Sequence, residues 1–247
     1  WVACGNYYIY QDYPNSNTLA YSYDGNDWVG LGKSIFTSGS AVAWNGQMWV
    51  ACGQGANVIA YSYDGIIWVG LGLGITFVIG YAVAWNGKMW VAGGYSNGKC
   101  IAYSDDGLVW KTLDSTQQKF SNACIAVAWN GKMWVAGGGR GDAGDNHTLA
   151  YSYDGINWTG LGNTAFSYSG TAIAFNTIRR DIIITPSIKP TSITSRNVVA
   201  TIDNFVPRQQ AYSFGNNIPN MWVAGGYNGP NTLAYSYDGI NWVGLGN

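Results

Sequence analysis

The chain has 247 residues, of which 15% are aromatic and only 10% charged, with 35 glycines and a net charge of −1. Charged residues usually make up about a quarter of a domain, yet the apolar content is too high for a disordered chain. The near-zero charge leaves no basic field for nucleic acid, and no apolar run approaches a membrane span, so neither partner is expected.

In chain order, Trp1-Val2-Ala3-Cys4 reads as the second strand of a four-strand set a–b–c–d whose strand a is missing. The chain thus opens in mid-pattern, and a strand a beyond the given ends is expected to close a ring by mixing the termini. The next copy is complete. Ser40–Trp44 is strand a, and Asn45-Gly46 is a strong two-residue hairpin signal. Met48–Cys52 is strand b, Val58–Ser62 is strand c, Asp64-Gly65 is a turn, and Trp68–Leu71 is strand d. Further sets are expected at Tyr81–Leu113, Ile125–Leu161, 171 to about 206, and Ala211–Leu245. Small residues such as Ala41-Val42-Ala43 suit a crowded inner strand, and apolar residues on both strand faces suit sheets covered on both sides.

The string Ala-Tyr-Ser-Tyr-Asp-Gly-x-x-Trp fixes the period. Its serines are Ser22, Ser62, Ser104, Ser152 and Ser236, spaced by 40, 42, 48 and 84 residues. A repeat near 40 residues marks a solenoid, propeller or array, and four strands in that length make one propeller blade. The expected fold is therefore all-β, one propeller domain over 1–247 with six blades, one of them closed by N- and C-terminal strands. The 84-residue gap is expected to hold a degenerate blade at about 171–206, with strand a at Thr171–Phe175 and strand b at Asp181–Thr185. Ala211–Phe214 is then read as the strand a that precedes Met221–Gly225. The alternative is an inserted loop.

Cys4 and Cys52 stand where other copies carry Gly93, Gly137 and Gly225, which reads as small buried filling. Cys100 and Cys124 are the one pair weighed for a disulfide. No Cys-x-x-Cys occurs, so zinc is not expected, and no other metal or cofactor is expected either.

The repeated turn resembles the Asp-box of bacterial-neuraminidase-type repeats, Ser/Thr-x-Asp-x-Gly-x-Thr-Trp. It stands here as Ser22, Asp24, Gly25, Trp28; Ser62, Asp64, Gly65, Trp68; Ser104, Asp106, Gly107, Trp110; Ser152, Asp154, Gly155, Trp158; and Ser236, Asp238, Gly239, Trp242. It departs from that pattern by one residue, since Gly follows Asp directly. The resemblance implies propeller blades in which the box is structural: the carboxylate caps its own turn and the Trp fills the gap between blades. The near-identical copies also resemble amplified propeller repeats of large-virus and bacterial surface proteins, which favours an extracellular, virion or cell-surface setting.

Asp-box propellers include sialidases, which use an arginine triad and a Tyr nucleophile paired with Glu. This chain has no Glu, and its five arginines are Arg140, Arg179, Arg180, Arg196 and Arg208. A Tyr without its base would be weakly activated, so no enzyme is expected and a sialidase-like glycosidase is the second alternative. A binding propeller is the leading reading. The a–b and c–d turns hardly vary between copies, whereas the b–c and d–a loops do, and in an up-and-down blade those variable loops share one rim. The candidate ligand residues there are Tyr7, Tyr8, Tyr10, Tyr13, Gln54, Tyr95, Asn97, Arg140, Asp142, His147, Tyr227 and Asn228. Aromatic rings stack on sugars and amides bond hydroxyls, and the same residues suit protein recognition; a glycan or protein partner follows. The first alternative is a structural or assembly protein of a virion or cell surface that forms a homo-oligomer.

Overall fold

The computed structural model describes residues 1–5, 16–73, 77–96, 98–139, 146–176, 220–227 and 229–246. Its described elements are all strands, grouped in five antiparallel sheets taken in chain order. The first sheet holds β1 (Val2–Cys4), β2 (Leu19–Tyr21) and β3 (Val29–Gly30). The second holds β4 (Ser38–Trp44), β5 (Trp49–Gln54), β6 (Ile59–Ser62) and β7 (Val69–Gly70). The third holds β8 (Ile79–Trp85), β9 (Trp90–Tyr95), β10 (Ile101–Ser104) and β11 (Lys111–Thr112). The fourth holds β12 (Cys124–Trp129), β13 (Trp134–Gly138), β14 (Leu149–Ser152) and β15 (Thr159–Gly160). The fifth holds β16 (Ser169–Asn176), β17 (Met221–Tyr227), β18 (Leu233–Ser236) and β19 (Val243–Gly244). We number the sheets as blades one to five. Each is an up-and-down meander, and blade one is the expected b–c–d set.

Each a–b hairpin closes the same way. The Asn45 amide donates to the Met48 carbonyl, while Asn45 Oδ1 accepts the Gln47 and Met48 N–H groups at 2.8 Å. Gly46 takes φ +99°, which an Asn-Gly turn requires. Asn86 and Asn130 repeat the arrangement. Beyond the turn the aromatic pair Trp44 and Trp49 faces across the strands at 4.9 Å, and Trp85–Trp90 and Trp129–Trp134 do likewise. Such cross-strand pairs are the unit of sheet stabilisation.

The same hairpin corrects the reading of the long gap. Phe175 pairs with Trp222 across β16 and β17, and their rings lie 4.8 Å apart. Asn176 takes the place of Asn45, and its Oδ1 accepts the Met221 N–H just as Asn45 accepts that of Met48. Thr171–Phe175 is therefore the strand a of the Met221 blade and not of a separate blade at 171–206. Residues 177–220 stand where Gly46-Gln47 stand in blade two: they are inserted in an a–b turn. The expected strands at Asp181–Thr185 and Ala211–Phe214 lie outside the described residues, in a second unit, 178–219. The expected six-blade count thus loses the blade it had placed at 171–206, and five sheets stand among the described residues.

Blades stack face to face in chain order, β4 on β1, β8 on β4 and β5, β12 on β8 and β9, and β16 on β12 and β13. Strand b is therefore covered on both faces; Val50, Ala51 and Cys52 are fully buried, as are Val91 and Ala92. Between blades, the strand c and strand d apolar residues of one sheet receive the box Trp of the next. Leu19, Leu31 and Phe36 surround Trp68, and Leu149, Leu161 and Phe166 surround Trp242.

A second contact links neighbouring blades through size exchange. Strand a carries a bulge that sets one small residue against strand b of the preceding blade. A Cβ on Gly39 would fall 2.9 Å from the Cys4 Cβ, and one on Gly80 would fall 2.7 Å from the Cys52 Cβ. At the third junction the roles reverse: Gly93 lies in strand b, and a Cβ there would meet Cys124 Sγ at 2.7 Å. Cys4 and Cys52 are space-fillers as expected. No disulfide joins Cys100 and Cys124, the one pair weighed for it. Cys100 Sγ instead lies 3.4 Å from the Phe120 carbonyl, the place of the Thr18 and Thr148 hydroxyls in their blades. Burial raises the Cys4 thiol to about 11 and pushes Cys52 and Cys124 up as well, which removes them from thiolate chemistry.

Candidate binding rim

Antiparallel meanders put the b–c and d–a loops at one end of the blades and the a–b and c–d turns at the other. The c–d end is built by the repeated box. In blade two the Ser62 hydroxyl donates to Asp64 Oδ1 and its oxygen accepts the Gly65 N–H at 2.8 Å. Asp64 Oδ1 also accepts the N–H groups of Ile66 and Ile67, and Trp68 Nε1 donates to the Gly65 carbonyl. The other four boxes repeat these bonds.

The box glycine is required twice over. Gly107 has φ +77°, and a Cβ there would also press on Trp90 Nε1 at 3.0 Å. That indole nitrogen, with those of Trp134 and Trp222, is buried and has no hydrogen-bond partner among the described residues.

These bonds hold the box carboxylates as anions. Backbone N–H groups lower the Asp24, Asp64 and Asp106 carboxyls. At Asp154 partial burial opposes ionisation, but the Asn157 side chain and amide, the Ile156 amide and the Ser152 hydroxyl outweigh it, to about 2. Asp238 shows the same balance and is lowered further. Oδ1 of each of the five aspartates is thus engaged by its own turn, and at Asp154 and Asp238 Oδ2 accepts the Asn157 and Asn241 side-chain amides as well.

At the other end a side chain just before strand c clasps the loop after strand d. Asn17 Oδ1 accepts the Gly32 N–H, Asn57 Oδ1 that of Gly72, and Asn231 Oδ1 that of Gly246. Asn57 and Asn231 also donate to the d–a loop carbonyls of Ile35 and Ala165. His147 occupies the same position in blade four, and its Nδ1 accepts the Gly162 N–H at 2.8 Å; the proton of the neutral ring is thereby assigned to Nε2. In blade three Lys99 stands at the clasp position. Gln118, from the following d–a loop, accepts the Cys100 and Ile101 N–H groups instead.

Between blades three and four lies a cleft of about 410 Å³ lined by Gly98, Ser115, Gln118, Lys119, Asn146 and His147, with Ser121 beside them. Phe120, buried, forms its floor. The volume falls within the range of small-molecule sites, about 300–1,000 Å³, and the lining offers hydroxyls, amides and one ammonium, with Lys119 Nζ donating to the Thr116 carbonyl.

Of the residues expected at the rim, Gln54, Tyr95 and Tyr227 end strand b in blades two, three and five, opposite Ser38, Ile79 and Ser169. They share one end of the sheets. Tyr227 is 58% exposed and meets the Tyr168 ring edge-on at 6.0 Å. His147 lines the cleft while serving as a clasp. Tyr7, Tyr8, Tyr10, Tyr13, Asn97, Arg140, Asp142 and Asn228 lie outside the described residues.

The sequence reading passed over Ser115, Gln118 and Lys119; the missing clasp Asn at position 99 was the available signal. It also passed over the tyrosine inside the box. Tyr23, Tyr63, Tyr153 and Tyr237 are exposed and stand edge-on to Tyr21, Tyr61, Tyr151 and Tyr235 at 5.5–5.8 Å. In blade three Asp105 replaces that tyrosine and pairs with Lys111 at 3.7 Å.

No family model matches the chain, and no curated protein matches it. Among solved structures it is similar to a GH74 enzyme of Niastella koreensis at 18% identity and a TM-score of 0.53. The match covers 93% of this chain, which spans 28% of that enzyme's length. It also aligns with a structure from a nidogen/laminin complex at 13% identity, covering 63% of this chain and 59% of that one, with a TM-score of 0.47. A third match is the computationally designed protein Ika8, at 14% identity over 82% of this chain and 46% of that one, with a TM-score of 0.44. The first likeness concerns the fold alone, and with the five stacked meanders it makes this chain an all-β, propeller-type array.

Proposed function

We propose that the chain is a non-catalytic recognition propeller of the Asp-box type, which binds a polar ligand, foremost a glycan, at the loop end of its blades. The observation that carries this reading is the cleft between blades three and four. It opens where the clasp departs from the repeat, and it sets amides and hydroxyls from two blades around one space. A sugar ring presents hydroxyls that such groups bond in pairs. A binding role is supported by the box aspartates, each of which spends its Oδ1 on the hydrogen bonds of its own turn, so that the most regular carboxylates of the chain serve turn formation.

The test is a glycan array followed by calorimetry on the hits. Gln118→Ala and Ser115→Ala should weaken binding of a hit about 10-fold or more, the loss of one or two hydrogen bonds. An array without hits, or hits indifferent to both changes, would move the partner to a protein surface. Release of sugar from a hit would overturn the non-catalytic assignment.

A further inference from the structure

Strand d carries a glycine wherever the clasp is an Asn or a His. Gly30, Gly70, Gly160 and Gly244 pair with Ala20, Ala60, Ala150 and Ala234 of strand c. A Cβ on any of them would fall onto the clasp side chain of its own blade, Asn17, Asn57, His147 or Asn231. In blade three Thr112 holds that register, opposite Ala102. Its Cβ takes the space that the clasp fills elsewhere, so a side chain at position 99 has no seat over the strand. Lys99 is exposed, and the clasp bonds pass to Gln118.

The exchange leaves a cation beside the cleft. Lys99 stands between Gly98, which lines the cleft, and Cys100, whose amide donates to the lining residue Gln118. Lys119, in the lining, supplies a second ammonium. It is half-buried, and one of its three N–H groups is directed to the Thr116 carbonyl at 2.8 Å. Neither lysine has a carboxylate partner among the described residues, whereas Lys111 of the same blade is paired with Asp105. No carboxylate lines the cleft among the described residues, and Asp114, next to Ser115 in sequence, lies outside the lining. The remaining donors are the Ser115 hydroxyl, the Asn146 amide and the His147 ring, whose Nδ1 is occupied by the Gly162 N–H so that Nε2 carries the proton.

We infer, resting on the glycan reading of this cleft, that its ligand is an anionic sugar bearing a carboxylate or a sulfate, with Lys119 and Lys99 as the groups that select its charge. A sugar hydroxyl both donates and accepts, and an ammonium meets only its accepting half. A carboxylate or sulfate only accepts, and the hydrogen bonds it takes from an ammonium are roughly twice as strong as neutral ones. Two cations at a cleft without a lining carboxylate also raise the local concentration of anions.

The experiment is a glycan array that holds acidic sugars beside their neutral counterparts, glucuronides with glucosides and 6-sulfogalactosides with galactosides. Wild type should bind the acidic member of a pair about 10-fold or more tightly than the neutral one, and the pair that responds tells carboxylate from sulfate. In calorimetry on that hit, Lys119→Met should cut the affinity about 10-fold and Lys99→Met about 2–5-fold. Added salt should erode the preference, and circular dichroism confirms that both variants fold. Hits confined to neutral sugars would overturn the inference and leave the glycan reading standing. Acidic hits weakened by Ser115→Ala but indifferent to both lysine changes would do the same. An array without hits would overturn the glycan reading, and the inference with it.

Discussion

The size exchange between blades yields a sharp double-mutant test at Gly93 and Cys124. Cys124→Gly removes a fully buried side chain and puts glycine in a strand, a combined cost of about 2–3 kcal/mol. Gly93→Cys places a Cβ 2.7 Å from both the Cys124 thiol and its carbonyl, and such overpacking costs roughly 1–3 kcal/mol. If the sites were independent, the double variant would lose about 3–6 kcal/mol. The first two junctions already hold the reversed arrangement, Cys4 with Gly39 and Cys52 with Gly80. The double variant should therefore settle near 2 kcal/mol below wild type, a favourable coupling of about 2 kcal/mol. The residue of the loss comes from the carbonyl, which must still yield to the new Cβ. Urea unfolding of the four proteins measures this directly. Additivity within about 0.5 kcal/mol would refute the exchange as the principle of the junction.

Other expectations follow from the turns and the insertion. Ser62→Ala strands the buried Gly65 amide and should cost about 1–2 kcal/mol in urea unfolding. Acid should destabilise the array through its boxes. Asp154 titrates near 2 in the folded chain against an ordinary 3.8, so at intermediate pH the unfolded chain binds more protons. Stability is then full above about pH 5 and falls as pH drops toward 2; a thermal midpoint that does not change across that window would contradict the capping geometry. Replacing residues 177–220 by Gly-Lys, the turn of blade three, should leave a folded protein with the same blade circular dichroism. Loss of the fold in that deletion would return the segment to the blade count. Finally, His147→Asn should keep the clasp and stability, while His147→Ala should lose about 1 kcal/mol.

The boxes and hairpins were legible because their chemistry is local: a Ser, an Asp and a Gly within four residues satisfy one another wherever the chain goes. The junctions were not. Gly93 and Cys124 belong to different sheets, and nothing in either strand names its partner. The long gap misled because it has the length of two repeats, which made a degenerate blade the natural reading. The better clue was the split motif itself, Asn176 and Met221, the two ends of Asn-Gly-Lys-Met. At the rim, position 99 marked the departure from the clasp, but the residue that replaced it, Gln118, comes from another loop, and only the fold brings the two together.

The Asn176–Met221 closure has a consequence for how such a protein changes over time. The bond that seals the hairpin does not depend on how much chain lies between its partners. A blade can therefore admit a foreign segment at its a–b turn and still present the same strands to its neighbours. Asn45, Asn86 and Asn130 mark three more doors of the same make, and sequence grafted behind any of them should leave the array standing.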